Sequence, residues 1–419
     1  MNELQAIVDA YADVRARGER AALATVVSVV GSAYRRPGAR MLITESGHTV
    51  GAISGGCLER DAVERARQVI ASGGAARIVK YDTRGAEDIV WGLGLGCNGV
   101  VRILLESLHE GSSGACALQF IADLLRARQS GVIATVIGAG QATNRERAAA
   151  RLTDIGARLL FNEHELSACD QSLVNADAAL IKERMRADAR AALADGRANT
   201  RVYEAGVRRT EIFFDVLSRP RALIIFGAEH DALPVMQLAQ MLGWHVTIVD
   251  TRARNATRKR FCAADAVIPC RAEDVASCIT FTRDTAAVVM THNYLDDVEL
   301  LRALLPSPAS YIGLLGPKQR TERLLKDVRA EEFGRAGSRL ARLRSPIGID
   351  IGAETPAEIA LAVVAEIKAV WAERRAGFLR DRAAPIHDEC PVSLAPVKSK
   401  SGQHPTARAG AAGVVCGSS

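Results

Sequence analysis

The sequence predicts an α/β protein in which an N-terminal α/β module, residues 1–216, precedes a doubly wound parallel-sheet domain, residues 221–380, and a disordered tail, 381–419. Three observations carry this. In the second half, short continuous apolar runs alternate with amphipathic segments, as strands buried on both faces and joined by crossover helices do. In the first half, the β-branched run "AALATVVSVV" follows a helical segment and stops at Gly31. After Asp381 the chain is rich in Gly, Ala and Ser and has no hydrophobic period.

The elements follow in order. Residues 1–20 space Ala, Ile, Val and Tyr as one helix face. "ARMLITESGHTVGAIS" reads as two short strands around a turn. A helix begins at Leu58, with Val63, Ala66, Val69 and Ile70 on its apolar face, and stops at Gly73 and Gly74. "ARIVKYDT" and "VVRILLESL" are strands on either side of the glycine-rich "WGLGLGCNG", and "HEGSSG" is a linker. The helix "ALQFIADLLRARQSG" and strand "VIATVIGAG" then echo the helix–glycine–strand order of the start, a weak internal repeat. Beyond the linker "LSRPR" come the strands "ALIIFG", "HVTIVD", "DAVIP", "AAVVMTHN" and "SYIGLLG", interleaved with helices. The last helix opens with Thr355, Pro356 and Glu358, a capping box with proline at its preferred first position.

Composition narrows the function. With 48% hydrophobic and 24% charged residues the chain is globular, and with only 4% aromatics its core must be aliphatic. No apolar run approaches the ~18 residues of a membrane span, and the N-terminus is a charged amphipathic helix, not a signal peptide, so a cytoplasmic protein is expected. Nine scattered cysteines without a CxxC pair speak against a disulfide framework or structural zinc. The net charge of +6 is dispersed, with no basic stripe interleaved with stacking aromatics, which argues against nucleic acid and leaves acidic small molecules or an acidic partner surface.

Several motifs carry chemistry. "FGAEHDA" follows a strand and opens a helix, and Asp250 ends the next strand at roughly the 20-residue spacing of a dinucleotide fingerprint. Glu229 replaces the glycine that lets a pyrophosphate approach. A Rossmann-like domain without nicotinamide and one that still takes a nucleotide both remain open. "VIGAGQAT" has GxG after a strand but neither the third glycine nor the acid, and reads as a decoy. His292 and Asn293 in "MTHNYLDD" face the crevice at the strand ends or merely enter a helix. "LLGPKQR" offers a helix start with Lys318 and Arg320 to an anion, or is an ordinary loop.

In the first module, "GSAYRRPGA", "SGGCLE" and "GLGLGCNG" are glycine clusters, two of them with cysteine. Cys57 stands at a helix start, where the dipole favours thiolate, the form that binds soft metals and carries sulfur, and the glycines before it let something bulky approach. From the residues alone the structural reading, a buried cysteine at a packing point, is the more favoured for Cys57 and still more so for Cys97, which has the same two readings. Arg35, Arg36 and Arg40 either bind phosphate or pair with acids. GxSxG, HExxH, P-loop and kinase signatures are absent.

Taken together, "TVVSVVGSAYRRPGARMLIT", "GAISGGCLERD", "GLGLGCNGVVRILLE", "LIIFGAEHDA", "VTIVDTR", "VVMTHNYLDDVELL", "YIGLLGPKQRTERLL" and "SPIGIDIGAETPAEIALAVVAEI" resemble the XdhC/CoxI family of xanthine dehydrogenase accessory proteins over about residues 20–370. The resemblance implies a dedicated N-terminal domain before a Rossmann-like one. It implies a chaperone that binds molybdenum cofactor (molybdopterin, as mononucleotide or dinucleotide), supports its sulfuration with a cysteine desulfurase, and inserts it into an apo molybdenum hydroxylase. On that reading Cys57, with Gly55, Gly56 and Glu59 of the same block, is the leading cofactor- or sulfur-handling group, followed by Cys97, with Arg36 toward the phosphate. Gly227, His230, Asp250, His292 and Asn293 belong to the second domain's crevice. The family usually has "GAGH" where this chain has Gly227-Ala228-Glu229-His230, which disfavours NAD(P). A maturation factor rather than an enzyme is expected, forming homo-oligomers, with no membrane and no nucleic-acid partner. The rivals are an NAD(P)-dependent oxidoreductase and a silent assembly scaffold.

Overall fold

In the computed structural model, described for residues 2–73, 75–83, 99–139, 154–162, 166–168, 176–205, 208–252, 257–329, 337–384, 386 and 392–396, the chain builds three sheets. The first third comprises α1 (Asn2–Ala16), β1 (Ala21–Gly31), β2 (Arg40–Thr44), β3 (Thr49–Gly51), α2 (Glu59–Ser72), β4 (Arg77–Asp82), β5 (Gly99–Leu108) and α3 (Ser113–Ala127). Its five strands form an antiparallel sheet in the order β3-β2-β1-β5-β4. One face is covered by α2 through Ala62, Ala66, Val69 and Ile70. This helix ends on Gly73 in the left-handed conformation, φ 55°, as a glycine C-cap does.

A second sheet follows, made of β6 (Gly131–Ala139), β7 (Arg158–Asn162), β8 (Leu166–Ala168), β9 (Asn199–Ala205) and β10 (Arg208–Leu217), with α4 (Ala176–Asp195) between β8 and β9. The helix–glycine–strand echo has a structural counterpart: β1 and β6 each follow a helix and each lie between antiparallel neighbours. The two sheets pack against each other through Val27, Leu104, Ile137 and Phe213, while α1 and α3 share a second cluster with both sheets. Methionine and alanines of α4 cover the outer face of the second sheet. The module is therefore layered helix, sheet, sheet, helix. Ion pairs lock the sheets together: Arg40 to Asp215, Arg102 to Glu211 at 2.8 Å, and Arg158 to Glu106 at 2.5 Å.

The third sheet carries β11 (Ala222–Phe226), α5 (Ala232–Met241), β12 (His245–Asp250), α6 (Thr257–Arg260), β13 (Ala266–Pro269), α7 (Val275–Cys278), β14 (Thr285–Val289), α8 (Tyr294–Leu304), β15 (Tyr311–Leu314), α9 (Lys318–Asp327), α10 (Gly337–Leu340), β16 (Leu343–Arg344) and α11 (Pro356–Trp371). All six strands are parallel, in the order β13-β12-β11-β14-β15-β16, which is the doubly wound dinucleotide-fold order. Alternate residues of β11 serve opposite faces: Leu223 and Ile225 pack under α5 and α11, and Ile224 and Phe226 under α8 and α9. That two-sided burial is why the strand reads as an unbroken apolar run. The capping box of α11 is formed as expected. The linker after β10 is tied down, since Arg219 and Arg221 both bond Asp284 and the Arg219 N–H donates to Ser130.

Six strands go beyond the sequence reading: β7 to β10 of the second sheet, which the motifs did not single out, and two more. The two-residue β16 extends the parallel sheet. Val392–Pro396, in the segment expected to be disordered, pairs in parallel with β9 as β17, the apolar-polar alternation of "VSLA" fitting an edge strand. Among the described residues no helix is long and apolar enough to cross a membrane.

Candidate functional site

The Cys57 turn is organised by a residue that the sequence pattern does not single out. Ser54 is buried, and its hydroxyl oxygen accepts the Leu58 N–H at 3.0 Å, the Gly56 N–H at 3.2 Å and the Cys57 thiol at 3.3 Å. The same hydroxyl donates to the Glu59 carboxylate. Glu59 in turn accepts the Ser54 N–H at 2.8 Å and the Leu58 N–H at 3.1 Å. Glu59 thus ties the Ser54 and Leu58 N–H groups just before α2, whose N-cap Leu58 has no capping side chain, and its charge lies at the favourable end of the helix dipole. Gly56 has φ 109°, a conformation that selects glycine, and the space where a Cβ would point is open. At Gly55 that space is filled: a Cβ would lie 3.2 Å from the Tyr34 ring. Room beside the thiol is therefore found at Gly56, while Gly55 seats an aromatic side chain. Cys57 is half-buried against the core of the first sheet.

Tyr34 also lines a cavity of about 410 Å³ with Glu3, Arg35, Arg36, Arg40 and Asp215. Glu3 joins this cavity to the thiol turn, because its carboxylate takes Arg35 at 2.5 Å and the Ala52 N–H at 3.1 Å. Arg40 is buried, bonds Asp215 and donates to the Gly38 carbonyl at 2.9 Å. Arg35 and Arg40 pair with acids, and Arg36 is exposed at the rim.

The second-domain candidates gather at the carboxyl ends of the parallel strands. Gly227, φ 122°, abuts β14 so closely that a Cβ would lie 2.3 Å from the Met290 carbonyl oxygen. Asp250 is 5% exposed, and its carboxylate accepts the Arg252 N–H at 3.0 Å and the Thr257 hydroxyl, so the acid at the fingerprint position serves its own turn. Arg260 holds the preceding loop through the Ala228 carbonyl at 2.8 Å. His230 is exposed. Asn293 caps α8 by accepting the Leu295 N–H at 3.1 Å. His292 adopts φ 57° and its Nε2 lies 2.7 Å from Asp231 Oδ2, while Asp231 Oδ1 is buried without a partner among the described residues. Beside it a cavity of about 310 Å³ is lined by Met290, His292, Asp297, Gly316 and Arg320. Burial pushes the Asp297 carboxyl above the ordinary range, although Thr291 and Arg320 each bond it at 2.5 Å.

The structure thus gathers Gly55, Gly56, Cys57 and Glu59 with Tyr34, and Gly227, Asp250, His292 and Asn293 around the parallel sheet. Cys97 lies outside the described residues. Among the described residues no cluster of three or more His, Cys, Asp or Glu side chains could hold a metal ion.

Comparison with known proteins gives a consistent result. Residues 14–82 match the XdhC and CoxI family, and residues 223–367 match the XdhC Rossmann domain. A Bacillus subtilis protein, named as one of the probable subunits of xanthine dehydrogenase, is 31% identical over 350 residues, 83% of this chain and 92% of that protein. The Escherichia coli molybdenum cofactor insertion chaperone PaoD is 24% identical over 354 residues, 84% of each chain. A crystal structure described as a xanthine dehydrogenase from Bacillus halodurans superposes with a TM-score of 0.67 at 27% identity, covering 88% of this chain and 97% of that one.

Proposed function

The chain belongs to the XdhC and CoxI family, and on that premise we propose that it is a molybdenum-cofactor chaperone that carries the cofactor to an apo molybdenum hydroxylase of the xanthine dehydrogenase type. The observation that carries this reading is Cys57: a half-buried thiol, bonded only weakly through Ser54, on a rigid turn with open space beside Gly56. The name of PaoD supports it, since that relative is a cofactor insertion chaperone.

In this role the cofactor is cargo, and the residues hold, orient and release it. Cys57 contacts the molybdenum centre or its terminal sulfur, and Ser54 and Glu59 keep the turn in shape for it. Arg36 takes the cofactor's phosphate at the cavity rim. A cysteine desulfurase supplies the terminal sulfur while the cofactor is held, and the chaperone acts as a homo-oligomer in the cytoplasm. The crevice of Gly227, His230, Asp250, His292 and Asn293 docks the nucleotide moiety when the cofactor arrives as a dinucleotide. Nicotinamide binding is the less supported use of that crevice, because Glu229 occupies the pyrophosphate approach and the Asp250 carboxylate is already engaged by Thr257.

The test is transfer. Protein purified from molybdate-supplied cells is mixed with an apo molybdenum hydroxylase, and hydroxylase activity is followed while NADH binding is titrated separately. Activation by the wild type and loss of activation with Cys57→Ala support the chaperone. No activation together with tight NADH binding overturns it in favour of an oxidoreductase.

A further inference from the structure

Tyr34 is the residue shared by the two features of the first module. One face of its ring lies against the Gly55 backbone, on the thiol turn, and the ring also lines the arginine cavity. Its position there follows from the absence of a side chain at Gly55, where a Cβ would press 3.2 Å from the ring. Yet Tyr34 is 70% exposed. A large aromatic held in place on one side and bare on the other is a stacking platform, because apolar ring surface gains by being covered and a fixed ring loses little entropy when it is. Beside it, Arg35, Arg36 and Arg40 face Glu3 and Asp215, so the lining carries one more positive than negative charge. Arg35 and Arg40 lie deeper and hold Glu3 and Asp215, and Arg36 is exposed at the rim, where an incoming anion arrives first. The volume of about 410 Å³ lies in the range of small-molecule sites.

We propose that this cavity is the seat of a planar, anionic heteroaromatic ligand, the pterin ring system of the cargo, with Tyr34 stacked on the ring and Arg36 paired with its acidic substituent. This rests on the chaperone reading and deepens it: Tyr34 packs on the Gly55 backbone of the thiol turn and also lines the cavity, so a ligand seated there is a neighbour of that turn. Recognition by a ring face and one charge is how aromatic platforms take nucleobases.

The probe is pterin-6-carboxylate, a stable fluorescent pterin anion, titrated into the full chain stripped of bound pterin. Saturable quenching is expected with the wild type. Tyr34→Phe should keep the affinity within about two-fold, and Tyr34→Ala should weaken it about ten-fold, the size of one stacking contact. Arg36→Gln should weaken binding and flatten its dependence on salt. Because Tyr34 is mostly exposed, unchanged circular dichroism is expected for each variant. Affinity unaltered in Tyr34→Ala overturns the proposal, as does a Tyr34→Ala protein that binds the pterin normally but no longer captures the apo hydroxylase, which would make Tyr34 a protein contact. A wild type that co-purifies with pterin but does not bind the probe overturns the seat and leaves the chaperone reading standing. A wild type with neither overturns both.

Discussion

Removing the Glu106 carboxylate should loosen both sheets of the first module together. Arg158 of β7 is 3% exposed and grips Glu106 of β5 with two parallel bonds of 2.5 and 2.7 Å. The first turn of α3 rests on the same carboxylate, since a Cβ on Gly114 would lie 2.8 Å from it. Glu106→Ala leaves a guanidinium buried without its counter-charge, a loss of about 3–5 kcal/mol for a pair of this kind. Replacing both partners by apolar residues of similar volume, Glu106→Leu with Arg158→Met, should recover most of that loss, because no charge is then left buried. The chain has more than one domain, so a single unfolding free energy is ill-defined and the readout must be local. Hydrogen exchange of peptides from Gly99–Leu108 and Gly131–Ala139 supplies it, with an expected loss of protection of at least about a hundred-fold in the single variant. Protection within about three-fold of the wild type in Glu106→Ala, or a double variant no better than the single one, would refute the reasoning.

Further outcomes follow from the same geometry. Gly227→Ala forces a Cβ to 2.3 Å from the Met290 carbonyl at φ 122°, and should cost at least about 2 kcal/mol, seen as a lower melting temperature by tryptophan fluorescence, because Trp244 and Trp371 pack edge to face in that domain. Ser54→Ala removes the acceptor of the Gly56 N–H and the Cys57 thiol, costs about 1–3 kcal/mol locally, and should speed alkylation of Cys57 by iodoacetamide about five-fold or more; an unchanged rate would contradict the role given to Ser54. Burial raises the Asp297 carboxyl above its unfolded-state value, so the folded chain holds that proton more tightly. Its contribution therefore falls as pH rises from the ordinary carboxylate range through the raised value, and is level beyond it. Asp297→Asn should remove that segment of the slope in urea midpoints measured across pH, and a slope that persists would mean another group carries it.

The parallel sheet was legible because its strands are buried on both faces. "ALIIF" must be apolar throughout when Leu223 and Ile225 feed one core and Ile224 and Phe226 the other. The α2 and α11 boundaries were legible for a local reason, since Gly73 and the Thr355–Glu358 box act within a turn of themselves. What escaped is non-local. Arg40 meets Asp215 across 175 residues and Arg102 meets Glu211 across 109, and no pattern near either partner announces the other. The two-residue β16 and the edge strand β17 are too short to show a period. At the candidate site, the cysteine and the glycines stood out by type, whereas Ser54, which organises the turn, looked like an ordinary loop residue, and Tyr34 like part of a turn. The position of Asp250 at the end of β12 could be read, but its engagement with Thr257 depends on how the following turn folds back.

The central claim is that Cys57 holds the cargo at its molybdenum centre or terminal sulfur. The most direct measurement is molybdenum and pterin per chain in wild type and Cys57→Ala protein purified from the same molybdate-supplied cells, by metal analysis and by fluorescence of the oxidised pterin. The account predicts bound molybdenum and pterin in the wild type and loss of both in Cys57→Ala, with the circular dichroism spectrum unchanged. Equal molybdenum and pterin in the two proteins would contradict it.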